Sequence, residues 1–340
     1  MSLNRSNLAK ILIGIFLQFQ LFNPAFALDL SFGFGNSSKA PPKWVEEPPS
    51  DNTEFIYGIG SGESLEKAQQ ASLSNISSKL ATVISSNITA NTSVSQGKVS
   101  SQFSENITAK SLDTKLSNFE TVKTEAQGGV IYVLTRMSRP AFVKNTLSHL
   151  SSLDQELDGN ISLARKQSKL QEYLALANAQ VKIQEATDLV YLLQATDPNF
   201  RSNDYFNKYL GYQKGLDELI YSIRFKIKTL SGDLAPISEM LVSFLGENKL
   251  SASANEQKPD VVITVKGKTQ KSILFGDYTT QIRLFIQTTD STGRTFNPQE
   301  LVVAGSSRVS YENSMVTATA LVKSKLEELG AFQSLGLVGH

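Results

Sequence analysis

Between residues 140 and 221 apolar side chains return every three or four positions, and a run of that period and length can bury them only as helices. Leu147, Leu150, Leu153 and Leu157 mark one stripe, and Leu170, Leu174, Val181, Ala186, Leu189 and Leu193 mark a second. Both sets recur at helical spacing. Pro140 suits a helix start, where its missing N–H is not needed. The pattern predicts two antiparallel helices and then a third helical run, "NDYFNKYLGYQKGLDELIYSI".

On either side the period shortens. Residues 55–71, "FIYGIGSGESLEKAQQA", pass from an apolar pulse through three glycines into a helical pattern. Its expected buried stripe is Leu65, Ala68, Ala71 or Ser72, Ile76, Leu80, Val83 and Ile84. A Thr-, Ser- and Val-rich span follows, with an irregular or long loop inside it, and ends in a strand at residues 130–137 after the turn Gly128-Gly129. The order is β-α-β-β. From residue 223 it is β-α-β-β-β-α: strand "IRFKIKT", helix "LAPISEMLVSFLGE", strands "DVVITVKGKTQ", "SILFGDYTTQIRLFIQTT" and "ELVVAGSSRVS", and a closing helix. The fold class is α+β, two helix-on-sheet modules joined by a helical hairpin or bundle. The two modules share an architecture without a residue-level repeat.

The N-terminus carries an address. Arg5 and Lys10 precede the apolar run "ILIGIFLQFQLF", and Ala25-Phe26-Ala27 offers a small-x-small cleavage site, so residues 1–27 read as a signal peptide with the mature chain starting at Leu28. No second apolar run is long enough to span a membrane. Residues 28–54 are rich in Gly, Ser and Pro and read as an extended lead-in. Within it, "PPKWVEEPP" holds Trp44, the single tryptophan, as a packing or interaction anchor. The expected segments are therefore 1–27, 28–54, 55–139, 140–221 and 222–340. With no cysteine in 340 residues there is neither a disulfide framework nor a lipid-anchor thiol, so stability rests on apolar burial. Charge is balanced, 33 Lys and Arg against 32 Asp and Glu, and nucleic acid is not an expected partner.

Gly58, Gly60 and Gly62 raise the question of a phosphate loop. Their G-x-G-x-G spacing lacks the later third glycine of a dinucleotide fingerprint, and no G-K-[ST] follows. We read them as a structural turn before a helix capped by Ser64, with Lys67 where a capping-box acid would stand. Imidazole is scarce, limited to His149 beside Leu147 and Leu150 and to His340. H-E-x-x-H, Cys/His sets, EF-hand loops and the G-x-S-x-G elbow are all missing from the sequence. The acid pairs Glu46-Glu47 and Glu327-Glu328 read as solvated faces. Asn75, Asn87, Asn106 and Asn160 stand in Asn-x-Ser/Thr triplets, and Asp158 gives the last of them an extra acid that some bacterial glycosylation systems require. The reading assigns no catalytic, cofactor-binding or metal-binding residue, and no cofactor.

Read together, Pro42, Trp44 and Val45, then Tyr57 to Gly62 as Y-x-x-G-x-G, the Ala-spaced helix over 68–81 and the strand from Tyr132 to Arg139 resemble the lipoprotein-20 family of Gram-negative envelope proteins. The resemblance covers about a hundred residues. It implies a structural or assembly protein, with some relatives at the outer-membrane end of flagella, and it implies no catalytic residue. The family's lipidated cysteine has no counterpart here. The expected function is a non-enzymatic scaffold at the periplasm or the periplasmic face of the outer membrane, acting on envelope proteins or on itself, with peripheral membrane association. Two alternatives stay open: a binding module for peptidoglycan or polysaccharide, with its ligand on the C-terminal sheet, and a hydrolase.

Overall fold

The computed structural model describes residues 40–92 and 118–337. The signal peptide, residues 28–39 of the lead-in, Asn106 and His340 lie outside the described residues, as does the side chain of Asn87. One turn of helix, α1 (Lys43–Glu46), precedes strand β1 (Phe55–Gly62) and the long helix α2 (Leu65–Thr92). Strands β2 (Phe119–Gln127) and β3 (Val130–Ser138) complete an antiparallel sheet of order β1-β3-β2. The mixed helix and sheet content is that of an α+β protein.

The expected turn at Gly58, Gly60 and Gly62 is instead the second half of β1. None of the three has positive φ. Their role is steric: a Cβ on Gly58 would meet the Ser72 carbonyl, one on Gly60 the backbone of Ala68 and Ser72, and one on Gly62 Lys67, each at less than 3.0 Å. Ile56, Gly58 and Gly60 line the buried face of β1, and α2 lies directly on that backbone. The helix answers with small residues at a spacing of four, Ala68 and Ser72, before Ile76, Leu80 and Ile84 continue the stripe. Leu65 and Val83 fall off this line and are exposed. Ser64 caps the helix, its Oγ accepting from Lys67 N at 3.3 Å. Ser72 and Thr135 on β3, both fully buried, share a hydroxyl hydrogen bond of 2.5 Å, so neither is left unsatisfied.

Helices α3 (Arg139–Gln167) and α4 (Lys169–Thr196) are joined by Ser168 alone, which ends one and caps the other. The cross pairs Arg165–Glu172, Lys182–Glu156 and His149–Glu185 show the antiparallel register. Buried Phe142, Thr146, Leu150, Leu153, Leu157, Ile161 and Ala164 hold α3 to its neighbours, while Val181 on α4 turns out to solvent. Helix α5 (Ser202–Ser222) completes the bundle. Ile56, Ile76, Met137, Phe142, Leu176, Val190 and Tyr209 belong to one apolar cluster, so the first sheet and the bundle share a core.

After β4 (Arg224–Thr229), a 3-10 turn at Gly232–Leu234 leads into α6 (Ala235–Glu247) and short β5 (Ser251–Ser253). Strands β6 (Val261–Leu274), β7 (Asp277–Asp290) and β8 (Gln299–Ser307), helix α7 (Tyr311–Leu329) and the turn α8 (Ala331–Ser334) follow. The sheet order is β5-β4-β6-β7-β8, with β4 parallel to β5 and β6, and the rest antiparallel. β6 absorbs Ser272, Ile273 and Leu274, which the sequence pattern assigned to the next strand, and turns at Phe275-Gly276.

The steric device of the first module recurs here. A Cβ on Gly305 of β8 would meet the backbone of Ser314 and Ala318 on α7 at less than 3.0 Å. Gly305 pairs with Thr280 of β7, whose buried hydroxyl bonds Ser314 at 2.6 Å, as Gly58 pairs with Thr135, which bonds Ser72. Gly60→Ala and Gly305→Ala should each lower unfolding free energy by about 1–3 kcal/mol, because the atoms in the way are backbone. Gly159→Ala, in open space within α3, should raise it by about 0.5–1 kcal/mol. Urea denaturation of the three variants measures both.

Candidate functional site

Around β1 the chain is pinned rather than opened to a ligand. The Trp44 indole donates to Glu125 Oε2 on β2 at 3.1 Å and is half-buried, so the lead-in is tucked against the sheet on a helical turn where an extended segment was expected. Asp51 accepts from Tyr57 N at 2.8 Å and pairs with Lys79 at 3.2 Å. Asn75, the first of the Asn-x-Ser/Thr triplets, accepts from Ile59 N at 3.4 Å. The glycines face the backbone of α2, which occupies the place a pyrophosphate would need.

The bundle holds a cluster of titratable groups that sequence spacing did not reveal. Lys208 on α5 reaches Asp154 at 2.8 Å and Asp158 at 2.6 Å on α3, while the Tyr209 hydroxyl donates to Asp154 at 3.0 Å and that of Tyr212 to Asp158. Burial pulls the Lys208 ammonium down, but its bonds to both carboxylates outweigh this and leave it above the usual lysine range. Burial likewise pushes Asp158 up, and the bonds from Lys208 and Tyr212 hold it below the usual range. Burial first and the adjoining aspartates second raise both tyrosines. Each group is thereby fixed in its ordinary protonation state. Elsewhere among the described residues burial raises Tyr173 and Tyr191, hydrogen bonds to Glu120 and Glu247 raise Arg136 and Lys323, and hydrogen bonds lower Glu247 and Glu312, so these groups move away from neutrality. A general acid or base poised near pH 7 needs the opposite. His149, half-exposed, faces Glu185 at 3.5 Å. Among the described residues no group of three His, Asp or Glu side chains could hold a metal ion. Glu327 and Glu328 pair with Lys323 and Lys325 at the surface, and Asn160 is exposed mid-helix on α3.

A second polar centre ties the bundle to the C-terminal sheet. Buried Asp290, at the end of β7, accepts from Ser168 Oγ at 3.3 Å and Gln171 Nε2 at 2.9 Å across the junction, and from Thr292 N, Thr292 Oγ1 and Arg294 N in its own loop. Beside it lies an open cleft of about 390 Å³ between α4 and the β7–β8 loop, with Gln171, Asn178, Arg294, Thr295, Phe296 and Asn297 on its walls. Arg294 donates to Gln171 Oε1 at 3.0 Å. The lining contains amides, a guanidinium and an aromatic ring, with neither carboxylate nor histidine, an inventory suited to holding a polar neutral ligand rather than to moving protons.

Burial pushes the Asp290 carboxyl up, but the bonds from Thr292, Gln171 and Arg294 outweigh it and hold the pKa below the usual carboxylate range. Stability from this group is thus complete above the unfolded-state value of about 3.9 and is lost as pH falls through the folded one. Asp290→Asn should cost about 1–3 kcal/mol at pH 7, with the deficit shrinking below about pH 4. Thermal unfolding of both proteins across that range tests it, and a deficit independent of pH would contradict the assignment.

No curated protein matches the chain. Among solved structures, a secreted protein of Helicobacter pylori is similar at 19% identity and TM-score 0.44, over 83% of this chain and 98% of that one. A minor lipoprotein of Acinetobacter baumannii aligns at 15% identity and TM-score 0.28, over 34% of this chain and 96% of its own. A lipoprotein of Neisseria meningitidis aligns at 15% identity and TM-score 0.24, over 32% and 97%. Residues 42–138, from α1 through β3, match the family model of the LPP20 lipoproteins, in a chain that carries no cysteine.

Proposed function

We propose that this is an exported protein of the Gram-negative cell envelope, non-enzymatic, acting as a scaffold or assembly factor at the periplasm or the periplasmic face of the outer membrane. The LPP20 match over residues 42–138 carries the reading. A surface for protein contacts is present in the same module. Among the described residues β2 is an edge strand paired with β3 alone, exposed along all but its last residue, with Phe119 and Val122 open to solvent. Such an edge offers unpaired backbone groups to an incoming strand. Flagellum-associated complexes of the outer membrane are the first partners to test, by analogy with the resemblance in this module.

The cleft beside Asp290 favours one second reading, a binder of peptidoglycan or another polysaccharide. Amides with one aromatic ring suit sugar hydroxyls and the apolar face of a pyranose, and this site lies at the bundle junction rather than on the sheet face where the sequence placed it.

The two readings separate experimentally. A photo-crosslinker at Val122 should give a discrete adduct with an envelope protein, lost on Thr124→Pro, which blocks strand addition at the edge. Isolated sacculi should not retain the protein. A chain that stays free and monomeric in the periplasmic fraction, yet is retained by sacculi unless Phe296→Ala is introduced, would replace the scaffold with the polysaccharide binder.

A further inference from the structure

The β6–β7 hairpin ends in an apolar tip that the fold itself does not use. Ile273, Leu274 and Phe275 are consecutive and exposed at 62%, 52% and 108%. Strand β8 ends opposite Tyr278, so residues 273–277 project past their sheet neighbours. Phe275 and Gly276 have φ of 52° and 89°, the left-handed pair of a tight hairpin turn. Asn or Asp ordinarily precedes the glycine there, because a bulky side chain in that region is strained. Here a phenylalanine accepts the strained backbone and holds its whole ring in solvent. Neither feature stabilises the free chain, and strain that persists at an exposed position points to a role outside the fold.

What lies behind the tip narrows that role. Tyr278 and Tyr311 meet edge-to-face at 5.0 Å, and Lys271 stands 5.5 Å from the Tyr311 ring. Arg308 pairs with Asp277 at 3.7 Å, Glu312 opens α7, and Val309 is exposed at 72% on the neighbouring loop. An apolar point is thus followed by tyrosines and then by charges that nearly balance. That is the order of polarity met on passing outward from acyl chains through the interface to water, where tyrosine is enriched. The feature projects from the sheet, a shape suited to entering a deformable apolar medium rather than to receiving a partner's side chain.

We propose that the Ile273-Leu274-Phe275 tip inserts into the interfacial layer of a lipid bilayer, with Tyr278 and Tyr311 at headgroup depth. With Lys271 and Arg308 set against Asp277 and Glu312, insertion is apolar in origin and does not require anionic lipid. The inference stands apart from the scaffold reading, since vesicles contain no protein.

The chain has no cysteine, so Phe275→Cys can carry a single environment-sensitive nitrobenzoxadiazole label. A site-specific probe also separates the tip from the apolar residues near the N-terminus. Phosphatidylcholine vesicles should shift the emission to the blue and shield the label from aqueous dithionite, equally with or without phosphatidylglycerol. A label at Gln257→Cys, exposed before the start of β6, should not respond. Leu274→Asp in the labelled protein should cut the shielded fraction about tenfold, by placing a charge at the tip. A label at residue 275 that stays as accessible as that at residue 257 would overturn the proposal. So would shielding that rises with protein concentration in the absence of vesicles, which would assign the tip to a second copy of the chain.

Discussion

Backbone lying on backbone, with no side chain between, sets the first half of this protein. Gly58 and Gly60 remove the two Cβ atoms that would otherwise hold α2 off β1, and the small residues Ala68 and Ser72 bring the helix down into the space. Such an approach leaves little apolar surface to bury, so polar satisfaction must be exact in its place: the Ser72–Thr135 hydroxyl pair provides it at full burial. Beyond the contact the helix reverts to Ile76, Leu80 and Ile84, which reach the bundle helices. The glycines therefore fix the depth at which α2 sits, and the depth of α2 fixes where α3 and α4 can pack.

The same solution on Gly305, Thr280 and Ser314 closes the C-terminal layer. Between the two layers stands the bundle, joined to the first by one apolar core and to the second by another that includes its buried Leu170, together with Asp290, whose carboxylate gathers donors from Ser168, Gln171 and its own loop. The second junction adds a hydrogen-bonded carboxylate to its apolar packing, which makes its stability depend on pH. The C-terminal junction is the acid-sensitive one.

Periodicity made the elements legible: the stripes through Leu150, Leu157 and Leu189, the strand after Gly128-Gly129 and the β-α-β-β order all stand as the residue spacing implies. Val181 shares the helix face of Leu170 and Leu174, which pack on the C-terminal core, whereas the bundle core is met by the opposite face through Leu176, Ile183, Ala186 and Val190, so Val181 is left in solvent. The glycines were recognisable as structural, yet their conformation was not, since a glycine kept for want of a Cβ looks the same in sequence as one kept for positive φ. Phe275, which does adopt positive φ, carries no such signal. The Lys208 cluster and the Asp290 joint unite residues 50 or more positions apart, a proximity that only the packed helices create. The Gly–Thr–Ser device escaped comparison of the two modules because its three members lie on three different elements.

Contact between β1 and α2 makes the first sheet and the helical bundle one cooperative body. Native-state hydrogen exchange addresses it directly, through the amides of Gly60 in β1 and its cross-strand partner Val133 in β3, and of Leu192 in α4. The account predicts one common opening free energy for the three, with the same denaturant dependence, so that they are released only together. Exchange of Gly60 and Val133 through a separate, lower-energy opening while Leu192 stays protected would contradict it, and would make residues 42–138 a module that merely rests on the bundle.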